Sequence, residues 1–126
     1  MAETKFKKSR IARELTVTLD YEDTSATELF TLPKSARIIG WFVNVRTAFS
    51  GGTTELDVGI SGNTDYFIDG IGIGSVGQVT PTTYVKKPGE ETTAMTTVYG
   101  LVGSSNTAGS LELTCLFSLE QSTPLA

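Results

Sequence analysis

Residues 46–69, RTAFSGGTTELDVGISGNTDYFID, decide the fold class. The stretch opens on a Gly/Ser/Thr turn, places Leu56, Val58 and Ile60 at alternate positions, and turns again at residues 61–65 before an aromatic and acidic segment. Apolar residues at every second position put one side of an extended chain on a core and leave the other in water. The flanking glycines supply backbone angles that a β-carbon resists. The segment reads as construction: turn, strand, turn.

The rest of the 126-residue chain agrees. Twenty threonines, nine valines and seven isoleucines make a β-branched composition, and thirteen glycines supply turns. Residues 13–19 alternate, with Leu15, Val17 and Leu19 on one face. A second strand is predicted over residues 27–32, stopped by Pro33, which has no N–H to give the ladder. Residues 36–47 are the most apolar strand. Simple alternation puts Ile39, Trp41, Val43 and Val45 on one face and Ile38 and Phe42 on the other, with Gly40 marking a bulge or relieving crowding. A fourth strand covers residues 54–60. Residues 65–70 read as a single helical turn capped by Asp65, residues 70–81 as a glycine-rich loop or irregular edge, and residues 83–87 as a short strand. Residues 93–102 and 110–120 form two long closing strands joined by the loop 103–109.

Seven or eight strands at turn spacings of roughly 8–12 residues predict an all-β protein, a jelly-roll-like antiparallel β-sandwich. The expected organisation is a basic N-terminal arm, residues 1–13, followed by one domain, residues 14–126. No apolar run approaches the ~20 residues of a membrane helix, and the N-terminus lacks the apolar core of a secretory signal. The hydrophobic content of 39% and charged content of 19% suit a folded chain rather than a disordered one.

Charge is divided unevenly. Residues 1–13 hold Lys5, Lys7, Lys8, Arg10 and Arg13 against Glu3, a net of +4, while residues 14–126 carry a net of −8. A basic arm on an acidic body suits attachment to an acidic surface or to another copy's body; it also reads as a solvated terminus. Nucleic acid is a poor partner, because the acidic body repels phosphates and the arm offers only Phe6 for stacking.

The chemistry-bearing residues are few. The chain has no histidine, which removes the commonest general base and metal ligand together. Cys115 falls in the alternating run Leu111, Leu113, Cys115, Phe117, Leu119 and reads as a small core residue. Gly72-x-Gly74-x-x-Gly77 matches the dinucleotide pattern in letters, yet Pro81 and β-branched neighbours oppose the helix that pattern requires. Asp57, Asp65 and Asp69, with Asn63 nearby, are the one acidic group worth weighing for Ca²⁺, but their spacing is not that of a compact loop. No Ser-x-x-Lys or G-x-S-x-G arrangement occurs. The expectation is a non-enzyme with no cofactor and no bound metal. Among the aromatics, Trp41 reads as core, while Tyr66 and Phe67 read either as interface anchors or as a plug under the glycine-rich loop.

The run TAFSGGTTELDVGISGNTDYFIDG, the threonine-rich late strands and the ending GSLELTCLFSLEQ, with its Ala108-Gly109-Ser110 entry, resemble small structural proteins of tailed-phage virions. The resemblance extends over about residues 37–121. It implies a capsid decoration (cement) protein on the outer head surface, made in the bacterial cytoplasm, partnered by the major capsid protein and by itself as a homotrimer. Interface residues expected on this reading are Lys5, Phe6, Lys7, Lys8, Arg10, Arg13, Tyr66 and Phe67. A tail, neck or head-fibre protein and a carbohydrate-binding sandwich are the alternatives; a trimeric dUTP-hydrolysing jelly roll lacks any readable motif.

Overall fold

A computed structural model describes residues 10–81, 84 and 86–120. Eight strands run in order: β1 (Arg10–Asp20), β2 (Thr27–Leu32), β3 (Arg37–Ser50), β4 (Glu55–Ile60), β5 (Asn63–Gly72), β6 (Gly77–Val79), β7 (Thr96–Val102) and β8 (Ala108–Glu120). There is no helix among the described residues.

The pairing has one simple rule. β4 pairs with β5, β3 with β6, β2 with β7 and β1 with β8, all antiparallel, so the chain is a long double ribbon folded back at the turn between β4 and β5. Rolling that ribbon brings β8 beside β3 and β7 beside β4. Two four-stranded sheets result, β1-β8-β3-β6 and β2-β7-β4-β5, which is a jelly-roll β-sandwich as the alternating strands predict.

Alternation places the core. Leu111, Leu113, Cys115 and Phe117 from β8 meet Leu56, Val58, Val98 and Val102 from the other sheet, all buried. A column of rings crosses between the sheets: Phe30 stacks on Trp41 at 6.2 Å, Trp41 lies 5.1 Å from Phe67, and Phe67 meets Tyr66 edge-on at 5.2 Å. Such pairs add about 0.5–1.5 kcal/mol each beyond burial.

Two expectations need correction. Residues 65–70 are not a helical turn but the middle of β5, where a register shift against β4 lets the consecutive Phe67 and Ile68 both be buried. In β3 a bulge between Ile38 and Gly40 inserts one residue and reverses the phase upstream of it. Ile38 therefore shares the core with Trp41, and Ile39 is exposed. Of the two readings of residues 70–81, the irregular edge holds: β6 is the edge strand of its sheet, and ahead of it the Ile73 side chain is fully buried, its N–H donating to Thr54 O (3.0 Å) and its carbonyl accepting from Phe49 N–H (3.2 Å).

One end of the sandwich is an interlock of the sequence runs that carried the resemblance. Thr53 N–H donates to Ser104 O (3.0 Å), Thr107 N–H to Ser50 O (2.9 Å), and Asn106 Nδ2 to Thr53 O (2.8 Å) and Gly103 O (3.0 Å). A β-carbon on Gly103 would collide with Thr53 O, and one on Gly109 (φ +145°) with the Phe49 ring. These glycines are required by close approach, and the SGG and AGS signatures are the two halves of one joint.

Candidate functional site

Basic residues collect at the opposite end. Arg10 opens β1, Lys34 lies between β2 and β3, Arg37 opens β3 and its backbone forms an isolated antiparallel bridge with that of Glu91, and Lys86 donates its backbone N–H to Tyr66 O (2.9 Å). Arg10 is built in rather than free. Its Nε donates to Ser118 Oγ (2.8 Å) and its Nη2 to Ser118 O (2.9 Å), and Nη1 faces Glu91 at 3.4 Å with only 18% of its side chain exposed. It fastens the start of β1 to β8. Arg13 pairs with Phe117 along the same ladder and is exposed. The last four residues assigned to the arm thus form strand. Lys5, Phe6, Lys7 and Lys8 lie outside the described residues.

Of the two aromatic anchor candidates, Phe67 is fully buried against Trp41, so it belongs to the plug reading and offers nothing to a partner. Tyr66 is half-buried beside it. Alternation alone does not reveal this, because the ring that covers Phe67 comes from β3, more than twenty residues earlier.

The carboxylates gather on the other sheet. Asp57 Oδ1 accepts the Gly70 N–H (2.7 Å), which holds the left-handed backbone at Gly70 (φ +65°) within β5. Partial burial raises the Asp57 pKa, the Gly70 hydrogen bond opposes that rise, and the charges of Asp69, Asp65 and Glu55 add to it. Among the described residues no group of three or more His, Cys, Asp or Glu side chains converges to hold a metal ion. Cys115 is buried and its thiol is pushed up to about 12 by loss of solvation, so it carries negligible thiolate at neutral pH.

Two apolar residues of β3 are exposed: Ile39 (46%), which simple alternation puts beside Trp41, and Phe42 (42%), which alternation puts on the opposite face as found. The readable signal was Gly40 between them. A shallow depression beside them is lined by Phe42, Asn44, Gln78, Glu112 and Thr114.

The geometry defines an eight-stranded jelly roll whose accessible features are charged ends and sheet faces. No protein-family model and no curated protein matches the chain. Solved structures do share the fold. A chain of the acidic stable capsid structure of Helicobacter pylori bacteriophage KHP30 superposes with a TM-score of 0.67 at 15% identity, over 93% of this chain and 100% of that one. A chain of the cyanophage Pam1 capsid asymmetric unit gives 0.63 at 17% identity, over 94% of this chain and 91% of that one. One of the capsid of Ralstonia phage GP4 gives 0.55 at 19%, over 91% and 86%. These neighbours are chains of phage capsid structures, in agreement with the resemblance read from the sequence.

Proposed function

We propose that this chain is a structural protein of a tailed-phage virion, a decoration protein that binds the outer surface of the head and stabilises the capsid. The observation that carries this reading is the likeness, over nine-tenths of the chain, to chains of three phage capsid structures. The work is mechanical, and no catalytic group is assigned.

Attachment is through the basic end. Lys5, Lys7 and Lys8 lead into Arg10, and Lys34, Arg37 and Lys87 are exposed at the same end, facing acidic groups of the major capsid protein, while the Lys86 side chain is largely covered and lies 3.9 Å from Glu90. Exposed ion pairs contribute about 0.5 kcal/mol each. Six of them give roughly 3 kcal/mol, weaker than millimolar binding. Self-association that lets more than one such end engage at once adds avidity and brings attachment toward the micromolar range.

The test uses heads lacking the protein, incubated with purified full-length chain or with a chain lacking residues 1–9, which lie upstream of β1. Full-length protein is expected to co-sediment with the heads and raise their resistance to heat, and the shortened chain to stay in the supernatant. Full-length protein that leaves heads bare, or that labels tails or necks in particles, overturns the decoration reading. Equal binding of both chains overturns the role of the arm.

A further inference from the structure

The bulge in β3 does more than reverse a phase. It turns Ile38 and Trp41 inward and leaves Ile39 and Phe42 both exposed on the outer side of the first sheet. Gly40 completes the surface. A β-carbon there would stand 3.3 Å from Phe42 Cζ, so the ring lies along the strand over the glycine instead of projecting from it. Half-buried Leu116 sits opposite Gly40, and beside it the hydroxyls of Thr16 and Thr114 share a hydrogen bond of 2.9 Å. The centre of this face is flat and apolar, and its polar groups are already paired. Aromatic residues held flat within a polar rim are typical of interface cores.

Charge says what can cover it. Around the apolar centre this face presents Arg37 and Arg46 together with Glu14 and Glu112, both signs interspersed. A second copy brings the same pattern, so cations of one can meet anions of the other. The strands of the second sheet carry Glu28, Glu55, Asp57, Asp65 and Asp69 with no Lys or Arg, and two such faces repel. Size sets the scale. Eleven-residue strands span about 36 Å and the three long strands are about 14 Å wide, on the order of 500 Å² in plan and more over the pleated surface. That places the contact at the low end, where two partners together bury about 1,200 Å² or less.

We infer that a second copy of this chain covers the outer face of the β1-β8-β3-β6 sheet, with Ile39 and Phe42 at the centre of the contact. This goes beyond attachment to a head, which uses the basic end.

The test is the mass of the full-length protein by light scattering after size exclusion. Wild type is expected to be an oligomer, and Ile39→Asp/Phe42→Asp to run as a monomer with an unchanged far-ultraviolet spectrum. Leu101→Asp, on the second sheet, is expected to keep the wild-type mass. A photo-crosslinking amino acid at position 42 guards against misfolding of the double variant, since it keeps an aromatic ring there. It is expected to join two chains through residues of the same sheet. A monomeric wild type, an oligomer that persists in the double variant, or crosslinks confined to one chain overturns the inference. Head binding by a monomer would break this inference and spare the decoration reading; a self-associating protein that ignores heads would do the reverse.

Discussion

The two sheets of this sandwich share one core and diverge on their outer faces. Outward positions of β1, β8 and β3 carry Arg10, Arg37 and Arg46 against Glu14, Asp20, Glu112 and Glu120, while β2, β7, β4 and β5 carry five carboxylates and no cation. Inward positions are set by packing and look alike in both sheets: Leu113 and Leu56 are equally buried. Outward positions are free of that constraint, so their charge reflects what each face must meet or avoid. A mixed-sign face tolerates a copy of itself, and a single-sign face stays in water or accepts a cationic partner.

The comparison first requires that the difference be confined to the outside. Leu113→Ala in the first sheet and Leu56→Ala in the second should each cost about 2–5 kcal/mol, the range for emptying a leucine site in a packed core. Both variants should unfold in one cooperative transition, followed by chemical denaturation with fluorescence of Trp41 and far-ultraviolet circular dichroism as separate probes. A loss in one variant several times that in the other, or two transitions that separate between probes, would show that the sheets are distinct energetic units. The contrast of faces would then be a contrast of domains.

What could be read in advance follows where period 2 holds. The runs Leu56-Val58 and Leu111 to Phe117 keep alternation of burial, and their strands and core residues were legible. Where a strand bulges, the pattern misleads. Residues 65–70 read as a helical turn because Asp65 suits a cap, yet they are strand, and a register shift against β4 lets Phe67 and Ile68 both be buried. Simple alternation puts Ile39 in the core, and Gly40 hints at the bulge without giving its phase. Close approach is less visible still. Nothing local to Gly103 or Gly109 announces Thr53 or Phe49, which arrive from half the chain away. The basic character of one end was legible as charge along the sequence. That Arg10 fastens β1 and that Phe67 is core was not, since Ser118 and Trp41 come from distant strands.

The acidic face gives a smaller, pH-dependent effect. Asp57 has a raised pKa in the folded chain, chiefly through partial burial, so its ionised form is less favourable folded than unfolded. The sign follows: the group lowers stability above its folded pKa, and stability is recovered as pH falls through that value toward the ordinary carboxylate range. Asp57→Asn keeps an oxygen for the Gly70 N–H and removes the charge. It should stabilise the protein at pH 7 by a few tenths of a kcal/mol, the scale of exposed charges screened by water. The gain should vanish near pH 4 in melting curves recorded across pH. A variant less stable than wild type at pH 7 would mean that the carboxylate finds compensation the crowded second face does not offer.

The smallest effect belongs to the mixed face. Arg46 Nε and Nη2 both donate to Glu112 Oε1, at 3.1 and 2.8 Å, and the two side chains are 58% and 37% exposed. Water screens such a pair, and ordering two long side chains offsets much of the attraction. A double-mutant cycle of Arg46→Ala and Glu112→Ala should therefore give a coupling of about 0.2–1 kcal/mol, falling further in 0.5 M salt. A coupling well above 1 kcal/mol in the isolated chain would mean that the two charges are committed to each other. The rim of the first sheet would then have little charge left to offer a second copy, and its balance of signs would reflect internal stability instead of contact.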